Sequence, residues 1–384
     1  MLTSKARAWL EIDLTKIAHN MQEIHRLIPK TTKVMGIVKA NAYGHGDIEI
    51  AKALQKCGVD FFGVSSIDEA IVLREAGIQD EILILGYTPP QHFHYVIEYD
   101  IIQTFLSYDY ALKCHEYAKE HQCKMRGHIK IDTGMSRLGI ICKDDHYHID
   151  EVKQIYQLEH LQCEGIFSHF SVSDSLDVDS KAYTTHQITC YERVLKDLKE
   201  ANINPGITHL QNSYGILNYG HLNYDYVRPG LLFLGVTSDD SIQIQTNPNF
   251  QPILQLKANV SMVKEVEEGD SVSYGRNYRA NKKEKIATVS IGYADGYPRI
   301  ISNTHPQVLI HGTRCEIVGN ICMDQLMVNV SHLEDVKEGD IVTLIGTDGE
   351  ETITVDELTR WAHTINNDTF CWFSARVPRI YKEN

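Results

Sequence analysis

Short apolar runs alternate with longer amphipathic stretches through the first 240 or so residues of the chain. The runs fall at 34–39, 61–65, 82–87, 101–106, 127–132, 163–169, 207–211 and 227–235. They are rich in β-branched and aromatic residues, the pattern of strands buried on both faces. Between them lie helical patterns. Leu14, Ile17, Met21, Ile24 and Leu27 share one stripe, with Asp13 placed to cap it. The stretch 67–76 stops before Gly77, a residue suited to the position just past a helix end, and 183–201 reads as another long helix. Strict alternation implies a parallel sheet. Eight strand candidates predict an α/β protein built on a (β/α)8 TIM-type barrel rather than an open sheet.

The texture changes after about residue 245. Asn247-Pro-Asn-Phe-Gln-Pro252 has the composition of a linker. Strand-like runs follow at 254–263, 271–274, 286–291, 307–310, 314–318, 327–330 and 341–345, with one late helix near 354–363. A Glu-Gly-Asp turn occurs at 268–270 and again at 338–340. The expected organisation is a barrel over 11–244 and a mostly-β C-terminal domain over 245–384. Residues 1–10 are expected to add a strand to that second domain.

Charge and cysteine content narrow the function. Acidic residues number 51 and basic ones 37, for a formal charge of −14. A nucleic-acid-binding chain would normally carry a basic face, so no nucleic acid is expected as partner. No apolar run approaches the roughly 20 residues of a membrane helix. Residues 1–7 lack the apolar core of a signal peptide. The expectation is a cytoplasmic protein with no membrane partner. The nine cysteines are scattered and form no CxxC pair, which reads as reduced thiols rather than disulfides or a metal site. The close pairs His92/His94 and His146/His148 are read as surface histidines.

Four groups of residues carry candidate chemistry. In Lys39-Ala-Asn-Ala-Tyr43-Gly-His-Gly46 the lysine closes an apolar strand. Partial desolvation there lowers an amine pKa and favours covalent chemistry with carbonyl compounds. In Lys130-Ile-Asp132-Thr-Gly134-Met-Ser-Arg137, after the fifth strand, Arg137 is suited to a two-point carboxylate contact. In Tyr226-Val-Arg228-Pro-Gly230 the arginine faces an anion or a heterocycle, and Gly230 and Leu231 offer backbone N–H groups to a phosphate. Ser213 adds a hydroxyl, and Ser168-His169 a partner for the arginine. The fourth group lies in the β-domain: Tyr274-Gly275, Gly292-Tyr293-Ala-Asp-Gly-Tyr-Pro-Arg299 and Cys322-Met323-Asp324-Gln325. Most tyrosines there are packing residues, but Tyr274 precedes a glycine in a turn and is expected to be exposed.

Taken in order, and with Arg376-Val-Pro-Arg379, these motifs resemble the alanine racemase family, PLP enzymes of fold-type III. The resemblance runs from residue 39 to 379. It implies pyridoxal 5'-phosphate (PLP) as cofactor, carried on Lys39. It also implies interconversion of L- and D-alanine by two bases, Lys39 and a Tyr274 supplied by the second subunit of a homodimer, to provide D-alanine for peptidoglycan. Arg228 is implied at the pyridine nitrogen, and Tyr43, Ser213, Gly230 and Leu231 at the phosphate. Arg137 is implied at the substrate carboxylate, oriented by a carbamylated Lys130. His169 links Tyr274 to Arg228, Met323 and Asp324 lie near the substrate, and Tyr293 and Arg299 line the entry. One departure concerns substrate choice. Some relatives have a tyrosine before Arg-Val-Pro-Arg that reaches the phosphate, whereas this chain has Ala375. A serine/alanine racemase is therefore the alternative, unless another tyrosine such as Tyr381 fills the space. A basic amino-acid decarboxylase would want an acid where Arg228 stands. A non-catalytic PLP-carrier protein would lack the β-domain.

Overall fold

The computed structural model describes residues 6–383. Eight parallel strand positions follow one another around a closed path. The first is split. Lys33–Val34 pairs with Tyr226–Val227, and Gly36–Ile37 pairs with Phe62 and Gly63. The break at Met35 lets one strand serve both neighbours, and this closes the barrel. The remaining strands are Phe61–Val64, Glu81–Ile84, Ile102–Phe105, Met125–Asp132, Leu161–Phe167 and Ile207–His209. Met35, Ile37, Phe61, Leu83, Ile102 and Tyr226 fill the interior as one apolar cluster, so the barrel is a packed core and chemistry is confined to its mouth.

Helices cover the outside as the apolar stripes require. Asp13 accepts from the Thr15 amide and caps a 3-10 turn that leads into the helix Ile17–Leu27. The long helix spans Val178–Glu200, five residues earlier than its stripe suggested, because Asp177 caps it by accepting from the Ser180 amide.

Two expectations need correction at the mouth. The first strand does not run to Lys39. It ends at Ile37, and Lys39 opens a tight turn. The eighth strand is not 227–235 but Tyr226–Val227. Pro229 lacks an N–H and Gly230 lacks a side chain to pack, so the strand stops. Leu232–Leu234 is a 3-10 turn instead.

The second unit is an antiparallel sheet around the long strand Leu254–Val266, which pairs with Ala8–Asp13, Ile341–Asp348 and Glu284–Val289. The N-terminal expectation falls partly on residues 1–5, outside the described residues; Ala8–Asp13 lies within the sheet. Thr354 and Glu357 form a reciprocal capping box on the helix Val355–Ala362. Three short strands escaped the sequence pattern: Tyr278–Arg279, Glu351–Ile353 and Arg379–Lys382. The last pairs in parallel with Ala8–Asp13. That pairing brings the C-terminal segment against the turn after Lys39.

Candidate active site

A cavity of about 460 Å³ opens at the C-terminal mouth of the barrel. Lys39, Tyr43, Lys130, Arg137, His169, Ser213, Arg228, Gly230 and Leu231 all line it. They come from five different strand ends, so the barrel closure is what brings them together.

Arg228 is the most constrained of these. It is buried, and its guanidinium donates to the carbonyls of Ser168 (2.8 Å) and Leu210 (2.9 Å). It also meets Nδ1 of His209 at 2.8 Å and Nδ1 of His169 at 3.1 Å. All four partners are neutral acceptors. Burial lowers the Arg228 pKa to about 10, which leaves it protonated near neutral pH. Burial, and then the Arg228 charge, hold both histidines well below the usual imidazole range. Because arginine only donates, Nδ1 of His209 must accept. Its Nε2 therefore carries the proton and donates to Nδ1 of His128 at 2.9 Å. Burial, and then Arg126, push His128 down to about 3. Phe167 stacks on His209 at 4.6 Å and 8° and fixes the ring plane. The result is a neutral, directed chain behind one cation that has no carboxylate partner.

Lys130 lies in the same positive potential. Its Nζ is buried with no hydrogen-bond partner, 4.6 Å over the Phe167 ring. Burial first, then Arg228 and Arg137, drive its pKa well down. Asp132 accepts from the amides of Gly134 (2.8 Å) and Ser136 (3.0 Å), which shapes the loop that presents Arg137.

Lys39 begins a turn in which Ala40, Asn41, Ala42 and Tyr43 all have φ near +50°. Left-handed backbone costs roughly 1–2 kcal/mol per residue, so the surroundings must hold it. Arg379 donates to the Gly44 carbonyl at 3.0 Å, and the Tyr381 hydroxyl donates to the His45 carbonyl at 3.0 Å. Burial, and then Arg137, lower the Lys39 pKa. The same turn aims Tyr43 at Gly230, where an added Cβ would collide with the tyrosine hydroxyl. The Gly230 amide meets the Ser213 hydroxyl at 3.2 Å. Burial raises the Tyr43 pKa far above the ordinary phenol value, so Tyr43 stays a hydrogen-bond donor.

Tyr274, Tyr293, Met323 and Asp324 are not in this cavity. Tyr274 is 70% exposed on a short turn of the β-domain and lines a separate groove with Cys322 and Met327. Asn320 holds the Tyr274 carbonyl at 2.7 Å. Met323 and Tyr293 are also exposed, while Asp324 pairs with Arg376 at 2.6 Å. Within one chain, then, His169 meets Arg228 but not Tyr274. Ala375 is exposed and does not line the cavity. Tyr381 does not occupy the place that Ala375 leaves, since its hydroxyl is committed to His45.

Sequence reasoning missed several residues. His209 ends the seventh strand as Ser168-His169 follows the sixth, and that placement was a usable signal. Asn367 and Cys371 also line the cavity, from the helix Asn366–Cys371. The six residues Asn-Asn-Asp-Thr-Phe-Cys carry no helical stripe, so nothing in the pattern marked them.

Comparison with known proteins gives consistent findings. Residues 12–238 match the family model "Alanine racemase, N-terminal domain", and residues 253–381 match "Alanine racemase, C-terminal domain". The chain is 40% identical over 373 residues to the alanine racemase of Methanococcus maripaludis, covering 97% of this chain and 98% of that protein. It is 39% identical over 381 residues to the serine/alanine racemase of Enterococcus gallinarum, covering 99% of this chain and 52% of that protein. The solved structure of the alanine racemase of Clostridium difficile 630 superimposes with a TM-score of 0.91 at 38% identity, covering 99% of this chain and 97% of that one.

Proposed function

The chain belongs to the alanine racemase family, and on that premise we infer that it interconverts L- and D-alanine with PLP carried on Lys39. The observation that carries this reading is the convergence of Lys39, Arg137 and Arg228 on one cavity beside the Tyr43–Gly230–Ser213 cradle. The residues fit the cofactor. Arg228 has four neutral partners and no anion, and Gly230 leaves room where a side chain would block the approach of Tyr43. Tyr43, Ser213 and the backbone at Gly230 and Leu231 would hold the phosphate, and Arg228 would face the pyridine nitrogen.

When bound, PLP supplies an electron-accepting ring that acidifies the substrate Cα–H. Arg137 binds the substrate carboxylate and sets which bond faces the bases. The Lys39 amine moves the proton on one face of Cα. Tyr274, reaching in from a second copy of the chain, moves it on the other, with Met323 and Asp324 beside the substrate and Tyr293 at the entry. A reversible proton exchange needs a base on each face of Cα, and the lowered Lys39 pKa favours that role. Arg228 stays protonated and would not release a proton to the ring nitrogen. It thereby limits how far negative charge spreads from Cα, and fast reprotonation wins over side reactions. Burial and two neighbouring guanidiniums hold the Lys130 pKa well down, the setting in which a carbamate would supply the missing anion.

The protein acts on this reading as a cytoplasmic homodimer whose D-alanine feeds peptidoglycan. Rescue of a D-alanine-requiring bacterium by the intact gene, but not by a Lys39→Ala version, tests this role; failure of the intact gene contradicts it. Serine is the second reading, favoured because no tyrosine stands at Ala375 and Tyr381 is committed elsewhere. Loss of optical rotation with L-alanine and L-serine side by side decides it: no turnover of L-serine removes the second reading.

A further inference from the structure

Glu69 lies in the first turn of the helix Ile67–Glu75, three residues after the N-cap Ser66. A glutamate there ordinarily reaches back to its own cap. This one does something else. Its Oε2 accepts from the Ser65 amide at 2.7 Å and the Ser65 hydroxyl at 2.8 Å. Its Oε1 accepts from the Ala40 amide at 2.8 Å. Ser65 follows the second barrel strand, and Ala40 belongs to the turn after the first. The carboxylate therefore joins the mouths of two neighbouring strands, and both Ser65 and Lys39 line the cavity.

The Ala40 amide is half of the peptide unit that leaves Lys39. Fixing that plane fixes where the left-handed run begins, and so where the Lys39 Cα–Cβ bond points. The groups acting most strongly on the Lys39 amine are Arg137 and Arg228, which disfavour its charge, and Glu69 and Cys371, which favour it. Glu69 is the carboxylate of that set. It faces the amine from the helix after the second strand, while the arginines face it from the fifth and eighth strand ends and Cys371 from the late helix.

We propose that Glu69 is a positioning residue for Lys39, clamping the Lys39–Ala40 peptide and setting the direction from which the amine enters the cavity. The proposal rests on the reading of Lys39 as the cofactor lysine.

Two variants of the full-length chain test it, Glu69→Ala and Glu69→Gln, with Asp68→Ala in the same helical turn as control. Glu69→Gln keeps the volume and one acceptor, so the test stands even where the alanine variant fails to fold. In hydrogen exchange followed by mass spectrometry, the Ala40 and Ser65 amides of Glu69→Ala should exchange roughly tenfold faster or more, the scale of one charge-assisted hydrogen bond. The control should match the parent. In the full-length chain freed of cofactor, labelling of Lys39 by formaldehyde and cyanoborohydride across pH should begin at lower pH in Glu69→Gln, because the charge that supports the ammonium is gone. Unchanged Ala40 exchange together with an unmoved Lys39 labelling curve overturns the proposal. Borohydride trapping of PLP in the parent protein separates the two claims. Cofactor fixed to Lys39 while both variants behave like the control sinks the Glu69 role alone. Cofactor fixed to another lysine overturns the functional reading, and the proposal with it.

Discussion

Arg228 at the barrel mouth is 4% exposed and donates to four fixed acceptors, whereas Tyr274 on the β-domain is 70% exposed and meets no residue of that cavity. The first region is preorganised inside one chain. Its histidines are neutral and directed, its lysines are desolvated, and its turn is clamped in a costly conformation. The second is an unfinished surface, where Tyr274, Met323 and Tyr293 stand in solvent. A two-base reaction needs both regions around one carbon atom. On the two-base reading proposed above, one chain holds the barrel half of the site and the half that carries Tyr274 comes from a second copy.

The largest effect that would sharpen the contrast is on catalysis. Lys39→Ala should cost about 10⁴-fold or more in alanine racemisation, the upper scale of a positioned acid–base group, and should abolish borohydride-trappable cofactor. A rate within tenfold of the parent would break the assignment. Tyr274→Phe should cost about 10²- to 10⁴-fold and leave cofactor content unchanged. Loss of cofactor in that variant would mean that Tyr274 belongs with the barrel half. Stability should divide the two regions next. Arg228→Ala strands His169, His209 and two carbonyls, at about 1–3 kcal/mol. Tyr274→Ala, at an exposed site, should stay within about 0.5 kcal/mol. Urea denaturation of both variants checks this, and equal losses would erase the distinction.

Acid stability reads the barrel half by itself. His128, His169 and His209 have folded pKa values below the unfolded value of about 6.5. Their neutral burial therefore contributes fully above that pH and is lost as pH falls toward the folded values. His128, near 3, should alone remove about 2 kcal/mol between roughly pH 6.5 and pH 5. Stability that stays flat over this interval in the parent, and matches a His128→Asn variant, would contradict the neutral chain.

The barrel was legible because buried parallel strands must be apolar throughout, and eight such runs leave few other closures. The exact mouth was not. A strand that ends at Ile37 and one that continues to Lys39 have the same apolar pattern, and tertiary clamps from Glu69, Arg379 and Tyr381 sustain the left-handed turn. Lys39, Arg137 and Arg228 stood out because charge at the end of an apolar run is unusual. Asn367 and Cys371 did not, since their short helix takes its shape from packing rather than periodicity. Glu69 was hidden for another reason: its sequence position is that of an ordinary helix-capping glutamate.

The shared site is tested most directly by mixing two inactive chains. Lys39→Ala and Tyr274→Phe proteins, unfolded together and refolded, should form mixed dimers in which one site holds an intact Lys39 and an intact Tyr274. Racemisation of alanine should then return in the mixture and in neither variant refolded alone. Mixed dimers that form, as native mass spectrometry would show, yet stay inactive would contradict the account.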